Sequence, residues 1–175
     1  MNVKFASGSQ DDFLISSYFS TDLSSLVCTI KAEQKGENDT PVEVVYNNLE
    51  DRYDLKELVK NAIEYSILEQ NCTTKFLISF HALNDGYDVF SLAINAYTSC
   101  AILAGIRIKD TLAAHTLLLD GCLCTVIYML HTEKVLGFYL DGECCLEAVD
   151  KCIVDCRRNG GIIKDIVRQQ IDSIS

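Results

Sequence analysis

The sequence predicts an α+β fold, a mixed sheet with helices packed on it, and three observations predict it. Short β-branched or aromatic runs alternate with helical patterns along the chain. Residues 89–104 form a helix that is apolar nearly all round, which needs cover on every side. Asp120-Gly121, set between two apolar runs, is a two-residue hairpin signal, so part of the sheet is antiparallel.

The elements follow in order. Runs 13–19 and 23–30 read as two strands, 31–38 (KAEQKGEN) as a polar loop, and 42–46 as a third short strand or an extended arm. Over 51–70 the apolar positions Leu55, Leu58, Val59, Ala62, Ile63, Ser66 and Ile67 recur at helical spacing, with Asp51 near the positive end of the dipole. Residues 74–83 form a strand with Phe76, Ile78 and Phe80 on one face. In the central helix Ala93, Ala96 and Ala101 allow close approach, and Gly105 stands where a terminating glycine belongs. Runs 112–119, 122–130 and 135–140 are further strands. A third helix covers 143–158, Gly160-Gly161 kinks or ends it, and helical spacing resumes over 162–171. The order is β-β-(β)-α-β-α-β-β-β-α, with no internal repeat.

With 175 residues, 49% of them apolar and one proline, the chain is read as a single globular domain spanning 1–175. No stretch reaches the ~18 consecutive apolar residues of a spanning helix. The first residues carry no basic patch and apolar run of a signal peptide, so cytosol or nucleus is expected. Fifteen Lys+Arg against 25 Asp+Glu give a net charge of −10. Autonomous nucleic-acid binding needs a clustered basic face, and the basic residues are scattered.

Nine cysteines include Cys122-x-Cys124, Cys144-Cys145 and Cys152-x-x-x-Cys156, none of them C-x-x-C. They are read as buried core thiols in a reducing compartment, with no metal site.

The central segment resembles the ribonuclease PH domain: Asp85-Gly86 before an apolar helix, then Asn95-Ala96, Ala104-Gly105-Ile106 and Lys109-Asp110. Ser7-Gly8-Ser9 before a strand is similar to the start of that fold, and 135–140, Asp141-Gly142 and a long helix are similar to its end. The resemblance implies the ribonuclease PH-like (ribosomal protein S5 domain 2-like) fold. The Asn-Ala and Ala-Gly-Ile pattern is closer to eukaryotic exosome ring subunits than to the bacterial enzyme. Such a likeness implies other ribonuclease PH-like subunits and cap subunits as partners. It also implies contact with RNA only through the assembled complex, residence in nucleus, nucleolus and cytoplasm, no cofactor and no membrane.

Phosphorolysis needs a held phosphate, an acid and basic groups to offset crowded negative charge. In active family members a Gly-Thr-Arg-type loop follows the Asp-Gly, and its N–H groups and Arg cradle the phosphate. Here Asp85-Gly86 keeps the turn, Tyr87 and Asp88 stand where Gly and Thr belong, and Val89 replaces the Arg. Asp88 is expected to act as an N-cap in the anion's place. The segment that carries paired aspartates is replaced by the Asp120-Gly121 turn. No catalytic residue is expected. Weak RNA-facing candidates are Arg52, Lys56, Arg107 and Lys109, although Asp51, Asp54 and Glu57 flank the first two. His81, His115 and His131 have no carboxylate or cysteine at catalytic spacing in the sequence.

The expected role is architectural, completing a channel in the exosome ring. Three rivals stay open: an active phosphorolytic exoribonuclease completed across an interface, a different α+β protein such as a small-molecule kinase-like domain, and a homodimer binding a protein partner without RNA.

Overall fold

In a computed structural model, which describes residues 2–5, 13–36, 39–49, 52–68, 74–143 and 145–174, the chain folds into two sheets and three helices. Strands β1 (Asn2–Phe5), β2 (Phe13–Ser20), β3 (Ser25–Gln34), β4 (Val42–Asn47) and β5 (Thr74–Asn84) form one sheet in the order β1-β2-β3-β5-β4. All neighbours in it are antiparallel except β4 and β5. Parallel neighbours need a crossover, and α1 (Tyr53–Ser66) supplies it. Because β4 and β5 run the same way, α1 and α2 (Val89–Leu103) both start at the same end of the sheet.

The second sheet is an antiparallel meander of β6 (Leu112–Leu119), β7 (Cys122–Met129) and β8 (Lys134–Asp141). Its period-2 alternation serves two cores. Leu112, Ala114, Ile127 and Met129 join the main core with α1, α2 and the first sheet. Ala113, Cys124, Val126 and Tyr128 face α3 (Leu146–Ile174), meeting Ala148, Cys152, Cys156, Ile163 and Val167. Helix α2 therefore packs against β2 and β3 of one sheet and β6 of the other, as well as α1 and α3. Every residue from Val89 to Ala101 is buried, as its all-round apolar pattern requires.

One polar residue in that helix has a specific task. Asn95 donates through Nδ2 to the Ala114 carbonyl (2.9 Å) and accepts from the Ala114 N–H through Oδ1 (2.8 Å). Asn159 of α3 donates to the same carbonyl at 2.9 Å. Ala114 lies on β6, an edge strand, so these amides satisfy buried backbone groups that would otherwise be orphaned.

Several expectations are corrected. The strands divide between two sheets, because α2 separates them. Strand β1 lay outside the reading, and Lys31–Gln34, expected as loop, extends β3: Glu33 pairs with Lys75 and Gln34 with Thr74, so ladder bonding overrides polar composition. The last helix runs unbroken through Gly160-Gly161. Gly160 is buried against Leu130, whose methyl groups fill the space of a Cβ, so close packing compensates its weak helix propensity. Gly105, at φ +69°, ends α2 as expected. Ser7-Gly8-Ser9 and Asp51 lie outside the described residues, and α1 begins at Tyr53 with Asp54 in its first turn.

Candidate functional site

The turn from β5 into α2 is the frame the sequence singled out. The β2–β3 turn, 21–24, docks on it. Thr21 shapes this turn by accepting the N–H groups of Leu23 (3.2 Å) and Ser24 (2.9 Å) on its hydroxyl. Ser24, buried, accepts the Gly86 N–H on Oγ at 3.0 Å and donates its own hydroxyl to Asp88 Oδ1. Asn84 adds a bond from Nδ2 to the Leu23 carbonyl at 2.7 Å. The fit depends on glycine: a Cβ on Gly86 would lie 2.6 Å from the Leu23 carbonyl oxygen and 2.7 Å from Ser24 Oγ.

Asp88 holds the N-cap position of α2, yet its side chain makes no cap bond. This corrects the expected cap: the carboxylate turns to Ser24, a partner 64 positions away in sequence. The N-cap backbone still contributes, since the Asp88 carbonyl accepts the Leu92 N–H at 3.0 Å and the Ser91 hydroxyl at 2.8 Å. Val89, where an arginine would reach a phosphate, is fully buried. Of the turn's backbone donors, the Gly86 N–H is bound to Ser24 and the Val89 N–H to the Gly86 carbonyl at 3.2 Å. An anion entering here would meet the Asp88 carboxylate and a neighbouring Asp85, and would find the Gly86 and Val89 N–H groups already engaged. Tyr87 is half-buried beside them.

Asp120 and Gly121 have φ of 50° and 81°, the left-handed pair a type I′ hairpin needs, with Leu119 paired to Cys122 across it. Asp120 is exposed.

The four basic candidates do not converge. Arg52 and Lys56 sit at the start of α1, the sheet end that also carries the Asp85–Val89 turn. Arg107 and Lys109 lie at the other end, about 21 Å away along a 14-residue helix at about 1.5 Å per residue. There the Arg107 carbonyl accepts the Leu68 N–H at 3.1 Å, and the Lys109 ammonium lies 4.8 Å from the Tyr65 ring centre. Lys109 thus packs on α1.

The fold supplies the histidines with neighbours that sequence spacing hid. His115 Nε2 is 3.5 Å from Asp155 Oδ2 of α3, a carboxylate that sequence spacing does not reveal. Burial pushes the imidazole pKa down and outweighs the opposing pull of Asp155 and Asp88, with Arg158 adding to the depression. At neutral pH the ring is uncharged, so this contact is a weak polar one. Exposed His81 meets Asn48 at 3.2 Å, and exposed His131 lies in the β7–β8 turn. Asp110, from the Lys-Asp end of the recognised motif, fastens that turn: its carboxylate accepts the N–H groups of His131 and Thr132 (both 2.9 Å) and the Thr132 hydroxyl (2.8 Å). Burial would raise its pKa, but these bonds outweigh burial and lower it.

Cys28, Cys100, Cys124, Cys152 and Cys156 are buried free thiols, as read. Burial pushes the Cys156 thiol up to about 12, which keeps it protonated and inert. Two cysteines depart from the reading: Cys145 is exposed, and Cys122 is disulfide-bonded. Among the described residues no group of three or more His, Cys, Asp or Glu could hold a metal.

The two-sheet arrangement about a buried central helix, entered through an Asp-Gly turn, is the ribonuclease PH-like α+β fold. The structure is similar to the crystal structure of rice (Oryza sativa) Rrp46, with a TM-score of 0.76 over 98% of this chain and 94% of that one. Sequence identity is 15%, so the likeness is one of fold. No family model and no curated protein matches the sequence.

Proposed function

We propose that this chain is a non-catalytic, architectural subunit of an exosome-type ring of ribonuclease PH-like proteins. The observation that carries this reading is the Ser24–Asp88 contact across the Gly86 turn, which fills the space of a phosphate cradle with a protein carboxylate and its donor. The fold shared with rice Rrp46 and the 85–110 motif support the ring. Exposed apolar side chains on edge strand β8, Phe138 at 58% and Leu140 at 40%, support burial against neighbours. Other ring and cap subunits are the partners in this reading, RNA is met only inside the assembly, and the protein resides in nucleus and cytoplasm.

Native mass spectrometry of the complex recovered from cells tests the architectural half. Recovery with other ribonuclease PH-like subunits is expected; recovery as a lone chain or a homodimer overturns it. The chemical half is tested by incubating the recovered assembly with RNA and inorganic phosphate. Release of nucleoside diphosphates that disappears with Asp88→Ala or Asp120→Ala would instead establish an active site completed at an interface.

A further inference from the structure

A concavity lies at the opposite end of α2 from the Asp85–Val89 turn, between α3, the end of α2 and the β7–β8 turn. Its volume is about 380 Å³. The floor is apolar: Ile102 from α2, Leu130 after β7, and Ile163 and Val167, one turn apart on α3. Gly160 lets α3 approach Leu130 and sets the depth of this floor. The rim is basic, formed by Lys164, Arg168 and His131. Lys164 and Arg168 are exposed, and among the described residues neither forms an ion pair. Asp110, the acid nearest His131, is committed to three hydrogen bonds from the β7–β8 turn.

The charge setting gives the rim its meaning. In a chain of net charge −10, Lys164 and Arg168 set two cations without an ion-pair partner among the described residues one helical turn apart over an apolar floor. Their aliphatic stems extend the apolar wall and their heads reach solvent. Apolar contacts at Ile163 and Val167 run parallel to cations at Lys164 and Arg168, both repeating every four residues. The complementary ligand repeats the same way, with an apolar side chain beside carboxylates. RNA fits poorly: the lining holds no Phe, Tyr or Trp for base stacking, and the apolar floor offers no donor or acceptor to a base edge.

We infer that this groove is a docking site for an acidic peptide segment of a partner protein, anchored by a large apolar side chain flanked by carboxylates. The inference is independent of the ring assignment.

The test uses the full chain and a short fluorescein-labelled peptide carrying Leu-Phe between runs of Glu, read by polarisation at physiological salt. Saturable binding is expected, weakened about tenfold by the double variant Lys164→Glu with Arg168→Glu. Both side chains are exposed, so the variant should keep its melting temperature, which is checked first. Ile102→Trp, which fills the floor and leaves every charge in place, is expected to weaken binding comparably. Equal binding of a peptide with Ser-Ser replacing Leu-Phe reduces the groove to a charge patch and overturns the inference. So does binding of dodecanoate in the same groove with none of the peptide, or no saturable binding at all.

Discussion

Ser24 donates its hydroxyl to Asp88 across a gap of 64 residues, joining the β2–β3 turn to the start of α2. The same hydroxyl oxygen receives the Gly86 N–H, so one buried serine both accepts and donates at the start of α2. Ser24→Ala leaves the Asp88 carboxylate and the Gly86 N–H without their partner. An unsatisfied, partly buried polar group costs about 1–3 kcal/mol. Denaturant melts should therefore show a loss of that size, with no phosphate-dependent nuclease activity gained. An unchanged midpoint would show that the contact does not hold the turn.

Gly86→Ala should be worse than its size suggests. The new methyl group meets the Leu23 carbonyl, which is backbone and cannot rotate away. Either the β2–β3 turn lifts off or α2 shifts, at a cost of about 2 kcal/mol or more. Loss of amide protection confined first to the 21–24 and 85–88 segments in hydrogen exchange would identify the turn as the point of failure.

Asn95→Leu is close to isosteric and more apolar, yet it should destabilise. It strips the Ala114 N–H of its bond and leaves the Ala114 carbonyl with Asn159 alone. A cost of about 1–3 kcal/mol is expected from the orphaned donor. Asn95→Leu combined with Asn159→Leu should cost more than the sum of the single changes, since either amide alone still serves the shared carbonyl.

Stability should fall on acidification in two separate windows. His115 has a depressed pKa in the folded state, so its contribution is present above the ordinary imidazole value of about 6.5 and is lost as pH falls from there through the lowered value. Asp110, also depressed, keeps its contribution above the ordinary carboxylate value of about 3.9 and loses it as pH falls below that. Chemical denaturation from pH 7.5 to 3 should show both limbs. His115→Gln should flatten only the first, and Asp110→Asn only the second.

Much of the fold was legible because it rests on local patterns. The periodicity of Leu55, Val59, Ala62 and Ile63, the left-handed pair at Asp120-Gly121 and the all-round apolar character of 89–101 each demand one structure from the chain itself. Lys31–Gln34 was misread, and the effect of Gly160-Gly161 on the last helix left open, for the opposite reason. Their local preference is for loop or break, and what decides them, pairing with Thr74–Lys75 and packing on Leu130, lies far away in sequence. At the candidate site the sequence showed Asp88 and Val89 at the turn into the central helix, but not the bonds made there. No spacing connects Ser24 to Asp88, or His115 to Asp155, since those distances arise only when β2–β3 and α3 are placed.

The sequence by itself thus determined most element types, the buried central helix and the Asp120-Gly121 hairpin, because periodicity and turn chemistry are properties of short segments. Only the tertiary structure decided that Asp88 turns from its helix to Ser24, that Asn95 serves the edge of β6, and that four basic residues part to opposite ends of α1. Those outcomes are set by which polar groups burial forces together, and burial is fixed by the whole packed chain.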